Sequence, residues 1–326
     1  MPLTLGSYWV KRFSEPHHFW HVAASIDIHQ HLWPEPLLRA LERRREPPML
    51  LRSGGGWALR LAGEAESPVD LEDHDPNRRA ALAAADGFDR VLIAPSVPLG
   101  IEGLPAGEAE PLLAAYHEGV AALPAPFGAW AAVGLDAPDP AALAPRLDDG
   151  FAGACVSAGA LGDRAGYDRL GPVLELLEHR DRPLLFHPGP AAAPPGAPPW
   201  WSALTSYVAS MQAAWYAFLA WGRRAHPRLR VCFAMLAGLA PLHRERLTAR
   251  GGRSDSDAGV FLDVSSYGDR AVDAVVREIG VDQLVLGSDR PVVAHRELSL
   301  GDAVRAAIHE RNPQRLLSGA GVEVAA

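Results

Sequence analysis

Short apolar runs alternate with amphipathic stretches along most of this chain. The runs are rich in Val, Ile, Leu and Ala, which is typical of parallel strands buried on both faces. This pattern predicts eight strands, at 22–28, 90–94, 128–134, 153–157, 183–187, 229–235, 259–265 and 283–288. Helices are predicted after them, at 77–85, 108–123, 140–147, 167–180, 201–224, 239–250, 269–279 and 299–310. The alternation predicts an α/β fold, a (β/α)8 TIM-type barrel, rather than an open doubly wound sheet.

Two segments are too long to be simple connections. Residues 32–75 follow the first strand, and the alternation over 49–61 around a glycine run predicts a small β-hairpin. We therefore expect an inserted flap after strand one. Residues 188–202 form a second long loop, rich in Pro, Gly and Ala, after strand five. Both segments are expected to lie over the site of a single domain that spans residues 1–326.

Composition narrows the class of protein. Hydrophobic residues make up 48% of the chain and charged residues 21%, which is typical of a globular protein with an ample core. The net charge of -8 makes nucleic acid and an acidic membrane surface unexpected partners. Cys155 and Cys232 lie in apolar runs and are expected to be reduced. No signal peptide or membrane-length apolar run is evident, so a cytoplasmic protein with a small-molecule substrate is expected.

The first strand ends in a group of side chains that suit a metal ion. Period-two alternation places Asp27, His29 and His31 on one side of this strand. Two imidazoles and a carboxylate on one face can bind a cation, although a bare H-x-H also occurs by chance as two surface histidines. In a barrel, functional residues lie at the carboxyl ends of the strands.

Two other strand ends extend this group. Strand five ends in His187, and strand eight leads into Asp289. Each residue also has a purely structural interpretation. His187 could be a core histidine, and Asp289 could cap the helix that follows it. Together with His29 and His31 they give three imidazoles and one carboxylate, a ligand set for zinc or a similar divalent ion that leaves a position for water.

The chain resembles the amidohydrolase superfamily, in the branch that includes aminocarboxymuconate-semialdehyde decarboxylase and related metal-dependent hydrolases. The motifs that carry the resemblance lie at 26–31, 185–189, 226–231, 286–291 and 312–317. The H-x-H on strand one with an aspartate on strand eight is fairly specific to this superfamily. The resemblance implies a barrel with one divalent metal bound by His29, His31, His187 and Asp289. Relatives are often dimers, so a homodimer is the alternative to a monomer.

One position departs from the family pattern. Met235 stands where strand six of the family ends in a histidine, which orients the metal-bound water or polarises the substrate. A thioether cannot take a proton and is only a weak hydrogen-bond acceptor. Binuclear relatives also bridge two metals with a lysine or glutamate on strand four. The only lysine is Lys11, upstream of strand one, so a single metal is expected.

These observations lead to a functional hypothesis. The chain is expected to be a mononuclear metal-dependent hydrolase of a small amide, lactone or related carbonyl compound, with zinc as the ion and manganese or iron as alternatives. Asp289 is expected both to bind the ion and to act as the acid/base, and Asp27 to support a ligand histidine or the nearby backbone. Non-oxidative decarboxylation of a small carboxylic acid, aromatic or not, is the first alternative, and Met235 counts against it. A catalytically inactive barrel that acts as a binding protein is the second.

Five residues are candidates for contact with the substrate: Trp33, Tyr207, Met235, Arg290 and His295. The two aromatic residues lie in long segments over the predicted mouth, where they could line an apolar lid or bury the insertion against the rim. Arg290 could bind a substrate carboxylate or form a structural salt bridge. His295 is a candidate to replace the missing histidine, with an exposed loop position as its alternative.

Overall fold

The computed structural model describes residues 24–64, 66–253 and 256–318, and most of its strands are short and parallel. The strands are β1 (Ile26–Gln30), β2 (Met49–Ser53), β3 (Gly56–Arg60), β4 (Ser67–Val69), β5 (Arg90–Ile93), β6 (Phe127–Ala129), β7 (Ala131–Ala132), β8 (Ala154–Ser157), β9 (Leu184–His187), β10 (Val231–Phe233), β11 (Val260–Asp263) and β12 (Leu284–Val285). One parallel sheet has the order β1-β5-β6, and the other has the order β12-β11-β10-β9-β8-β7.

Helices follow most of the parallel strands, as the sequence predicts. They are α1 (Glu35–Arg43), α2 (Pro76–Ala85), α3 (Ala106–Ala121), α4 (Pro140–Asp148), α5 (Arg164–His179), α6 (Trp201–Leu204), α7 (Ser206–Ala217), α8 (Arg223–Ala225), α9 (Arg244–Ala249), α10 (Asp269–Ile279), α11 (Asp302–Ala306) and α12 (Asn312–Ser318). Asp75 caps α2 by accepting a hydrogen bond from the Arg78 amide, which explains why the helix begins there. In the described ranges, no helix is long and apolar enough to cross a membrane.

Several predicted boundaries differ from the observed ones. The predicted first strand begins at Val22, which lies outside the described residues, as does Lys11. The single predicted helix 201–224 is broken at Thr205 and again by the π-helical turn Phe218–Gly222. The third predicted strand is divided at Trp130, whose amide donates to Ile93, while the next amide donates to Gly153 (2.8 Å). The backbone therefore changes its partner strand at this residue.

Strand residues alternate between two apolar clusters. One cluster takes a buried side chain from most parallel strands: Ile28, Leu92, Trp130, Cys155, Leu185, Cys232, Phe261 and Val285. The other cluster packs beneath the helices and includes Phe186 stacked on Phe233, with ring centroids 4.2 Å apart. Both cysteines are buried and free, as expected. The first strand is linked to the end of the last one by the Ile28 amide, which donates to Leu286 (2.9 Å).

Residues 32–75 contain α1 and a separate antiparallel sheet. Strands β2 and β3 pair in the register Met49↔Arg60, and β4 joins the other side of β3. Gly54 and Gly55 connect β2 to β3 and both have positive φ, of 57° and 85°, as a two-residue type I′ turn requires. The predicted hairpin is present, and a third strand extends it.

Glu102 is a buried carboxyl group that forms no ion pair with any described residue. It is 3% exposed, and its Oε2 has no hydrogen-bond partner among the described residues. Burial raises the pKa of Glu102 to about 7. Because this pKa lies above the ordinary value of 4.5 for an unfolded chain, the native state holds the Glu102 proton at a pH where the unfolded chain has released it. The free energy of unfolding therefore falls as the pH rises from about 4.5 to about 7.

Replacement of this carboxyl group should therefore flatten the pH dependence of stability. We expect the free energy of unfolding of the wild type to fall by about 2–3 kcal/mol between about pH 5 and pH 8. In Glu102→Gln this fall should be absent. Denaturant titrations at both pH values would measure it. Glu118→Gln on the exposed face of α3 is the matched control. Equal pH profiles for wild type and Glu102→Gln would contradict the assignment.

Candidate metal centre

Four side chains from three distant parts of the chain meet at the carboxyl ends of the strands. His29 and His31 come from the end of β1, His187 from the end of β9, and Asp289 from the segment after β12. One ligand atom from each lies within 4.8 Å of all the others. The Nε2 atom of His31 is 3.2 Å from the Nε2 atoms of both other histidines and from Oδ1 of Asp289.

The protein fixes the tautomer of each histidine. Nδ1 of His29 donates to Oδ2 of Asp263 (2.7 Å), Nδ1 of His31 to the carbonyl of Ala94 (3.1 Å), and Nδ1 of His187 to the carbonyl of Pro188 (2.8 Å). Because each of these oxygens can only accept, the proton of each neutral ring is on Nδ1. The three rings are nearly perpendicular to one another, with interplanar angles of 88–90°. When all three rings are neutral, their Nε2 lone pairs converge, which is the donor set that a divalent ion requires.

The electrostatic field at this point favours a cation. Burial disfavours a charged His29, but Asp263 above all, then Asp289, outweigh it and raise the pKa of His29 to about 9. Burial and the charges of His29 and His31 hold the pKa of His187 well below its usual value. Burial also opposes the charge on Asp289, but the imidazoles outweigh it and lower the pKa of Asp289 to about 2. The carboxylate is therefore ionised at neutral pH.

Asp27 supports the backbone beneath this cluster and does not contact a histidine ring. Its Oδ1 accepts from the amides of His29 and Ser288, both at 3.1 Å, and its Oδ2 accepts from the Gln30 amide group. It is fully buried, and burial raises its pKa. Asp27 thus joins the end of β1 to the segment that carries Asp289.

Asp263 is the residue that the sequence analysis missed. It ends β11, is fully buried, and binds His29 through one oxygen. Its other oxygen accepts from the amides of Met235 (3.0 Å) and Ser265 (2.9 Å). Gly287 lies so close that a Cβ there would be 2.6 Å from the Asp263 carboxylate, so only glycine fits. The available signal was the position of Asp263 at a strand end, hidden because the predicted strand continued to Ser265.

Arg79 is a second support that was missed. This arginine of α2 is 1% exposed. It donates to the carbonyls of His31 (2.7 Å), Asp73 (3.0 Å) and Arg290 (3.1 Å), and to the side chain of Gln30. One guanidinium thus holds the end of β1, the end of the 32–75 segment and the loop after β12.

Met235 contributes its backbone to the centre. Residues 235–239 all have φ between 48° and 64°, which is a turn of left-handed helix. Such a turn costs about 1–2 kcal/mol for each non-glycine residue. The bonds from the Met235 amide to Asp263 and from Gln212 to the Gly238 carbonyl (2.8 Å) hold it in place. The predicted helix 239–250 accordingly begins only at Arg244.

Two predicted aromatic contacts occupy different environments. Trp33 is 9% exposed, its indole donates to Ser96 (2.8 Å), and its ring stacks on His74 with centroids 4.4 Å apart. Tyr207 lies on α7, where burial and then the charges of Glu64 and Asp289 raise its pKa to about 12. Tyr207 is therefore within electrostatic reach of the cluster.

Arg290 and His295 both have protein partners in the structure, and contact with a substrate stays a prediction for each. Arg290 forms an ion pair with Asp86, the structural alternative, because its guanidinium reaches the end of α2. His295 packs edge-on against Phe88, which precedes β5 at the amino end of that strand. It also lines a cavity of about 380 Å³ with Tyr267 and Arg296. Ser265 and Ser288, which follow β11 and β12, line the same cavity, and a role for His295 in place of the strand-six histidine stays a prediction.

Comparison with known proteins relates this fold to decarboxylases. No family model and no curated protein sequence matches the chain. Among solved structures, IDCase from Metarhizium anisopliae is 16% identical, with a TM-score of 0.73 over 90% of this chain and 97% of that one. The 5-carboxyvanillate decarboxylase of Novosphingobium aromaticivorans, complexed with manganese and a nitrobenzoic acid, is 17% identical, with a TM-score of 0.70 over 90% and 96%. The 2,6-dihydroxybenzoate decarboxylase of Rhizobium is 18% identical, with a TM-score of 0.64 over 92% and 100%.

These comparisons confirm the predicted resemblance as a likeness of fold, because the neighbours include named decarboxylases and a protein described as a putative amidohydrolase. They also correct the functional hypothesis. The hydrolase assignment was wrong, since several of the matched structures are named as decarboxylases, the alternative that the sequence analysis placed second. Met235 had weighed against that alternative through its side chain alone.

Removal of the negative charge behind His29 should weaken the centre without dismantling it. We expect Asp263→Asn to lower the affinity for zinc by about 10–100-fold, because the ring loses its charged acceptor. Competition with a chromogenic chelator would measure it. His187→Ala and Asp289→Ala should lose stoichiometric zinc altogether, whereas Asp168→Asn, exposed on α5, should bind like the wild type. Wild-type affinity in Asp263→Asn would rule out the supporting role.

Proposed function

We propose that this protein is a metal-dependent, non-oxidative decarboxylase of small aromatic carboxylic acids. The observation that carries the proposal is the convergence of three imidazoles and one carboxylate at the strand ends, in a fold shared with decarboxylases of aromatic acids. The donor set is mixed nitrogen and oxygen, which suits a single divalent ion. Zinc is the ion expected from three histidines, and manganese, present in the related 5-carboxyvanillate enzyme, is the alternative.

Two backbone hydrogen bonds support a closed (β/α)8 barrel. The bond between Ile28 and Leu286 and the bond from the Asp289 amide to the His29 carbonyl (2.9 Å) run between the first and last strands. We infer that the two parallel sheets form one barrel, and that residues 32–75 and 188–202 overhang its mouth within one domain.

His29, His31, His187 and Asp289 would hold the ion in this scheme. A divalent cation bound there would bind the carboxylate of the substrate and offset its negative charge. The Nδ1 hydrogen bonds keep the three rings in position, so little reorganisation is needed when a ligand binds.

Asp289 is the group best placed to move a proton. Decarboxylation breaks the bond between the ring carbon and the carboxylate, releases carbon dioxide, and requires a proton at that carbon. The Asp289 side chain is 14% exposed, against 1% and 5% for His29 and His31, so it alone of these three is open to water. We infer that an Asp289 oxygen relays a proton from solvent to the ring carbon. The new C–H bond forms as the bond to the carboxylate breaks, so that the substrate anion and one solvent proton give the arene and carbon dioxide.

Met235 favours one competing function. In the family pattern a histidine stands at this position, and the thioether cannot replace its proton chemistry. A barrel that binds metal and ligand without turning over is therefore the second candidate. The two candidates differ in carbon dioxide release and agree in metal content.

Carbon dioxide release provides the test. We expect the zinc- or manganese-loaded protein to release carbon dioxide from at least one acid in a panel of mono- and dihydroxybenzoic acids, and to place deuterium on the vacated ring carbon in heavy water. Asp289→Asn should lose about 100-fold or more in kcat. His243→Ala, an exposed residue before α9, is the matched control and should keep full activity. Stoichiometric metal with no release from any acid would instead support the binding barrel.

A further inference from the structure

A cavity of about 220 Å³ lies between the metal centre and the antiparallel sheet of the 32–75 segment. One ligand residue, His31, lines it, together with His74 and Ser96. Its apolar walls are Trp33, Leu59, Pro68, Val69, Pro291 and Val292. A cavity of about 150 Å³ is known to accept benzene, so this one has room for a single substituted ring.

His74 presents a hydrogen-bond donor to this cavity. Its Nδ1 accepts from the Trp33 amide (3.1 Å), and its ring is stacked on Trp33 at an interplanar angle of 11°. Because Nδ1 is the acceptor, Nε2 carries the proton. Nε2 has no protein partner in the part of the chain that the structure describes, although the residue is only 7% exposed. Burial, Arg79 and His31 lower the pKa of His74 to about 4, so the ring is neutral at physiological pH.

The outer end of the cavity is negative. Asp70 and Asp73 line it, and no arginine or lysine is among its described lining residues. The Asp70 carboxylate accepts from the Glu72 amide, and that of Asp73 lies 3.8 Å from an exposed arginine, Arg78. An exposed pair at this distance offsets little charge.

We propose that this cavity holds the aromatic ring of the substrate, that Nε2 of His74 donates a hydrogen bond to an oxygen substituent on the ring, and that Asp70 and Asp73 exclude acids with a second carboxylate. The inference rests on the proposed function, because it takes the reacting carboxylate to lie at the metal centre. It narrows the substrate class to hydroxylated aromatic monocarboxylic acids. In this proposal His74 determines substrate specificity and is not one of the four residues that would hold the ion.

The donor role of His74 is tested by ligand binding to the metal-loaded protein. Calorimetric titration with benzoate and with the best-binding hydroxybenzoate isomer gives two dissociation constants. Their ratio measures how much the hydroxyl group contributes to affinity. We expect His74→Asn, which retains an acceptor near Nδ1 but no donor near Nε2, to weaken hydroxybenzoate by about three- to tenfold and to leave benzoate unchanged. His74→Phe, which retains only the stacking, should behave similarly. If His74→Asn binds both ligands like the wild type, the role of His74 is structural and the proposal fails.

The exclusion of dicarboxylates is tested with a matched ligand pair. We expect benzene-1,3-dicarboxylate to bind at least about tenfold more weakly than 3-hydroxybenzoate, equivalent to about 1.4 kcal/mol. The double variant Asp70→Asn/Asp73→Asn should reduce this ratio by about threefold or more, whereas Asp168→Asn should leave it unchanged. An unchanged ratio in the double variant would overturn the assignment.

The binding data also separate this inference from the proposed function. The expected binding pattern without carbon dioxide release would support the cavity assignment and refute decarboxylation. Carbon dioxide release with none of these binding differences would support decarboxylation and refute the cavity assignment.

Discussion

The hydrogen bonds of the buried Arg79 guanidinium are the interactions on which the rest of the site depends. Four oxygens from three separate segments accept from it: the end of β1, the end of the 32–75 segment and the loop after β12. Each segment carries a residue of the site, respectively His31, His74 and Asp289. Removal of a buried charged donor leaves its acceptors unpaired, which costs far more than the loss of one surface bond. A residue outside both the His/Asp cluster and the cavity lining therefore fixes the position of the cluster relative to the cavity.

The ligand cluster was predictable because parallel strands impose a simple rule. His29, His31, His187 and Asp289 each follow an apolar run, and the carboxyl ends of such runs meet at one edge. The supporting residues were harder to find. Asp263 lies within an apolar stretch that continues past it, so the sequence analysis predicts that its strand ends later, at 265. Arg79 is one of many arginines on amphipathic helices, and nothing in its spacing marks it as buried.

Local backbone geometry accounts for most other differences. The chain from 201 to 224 contains good helix formers throughout, yet the structure breaks it at Thr205 and at the π-helical turn, since packing overrides propensity there. Arg290 offered two equal interpretations from sequence, and only its distance from Asp86 distinguishes them. His74 gave no signal, because its partner Trp33 is far away in sequence and belongs to no periodic pattern.

In the left-handed turn at 235–239, residue 235 contributes to the site through its main chain. The bond to Asp263 comes from the main-chain amide of Met235, and every residue type except proline can supply that amide. The anchor of His29 therefore does not depend on which side chain stands at 235, among the residue types that tolerate a φ of 53°. A substitution at 235 would change the side chain there and leave the main-chain bond that positions Asp263, and through it His29, in place.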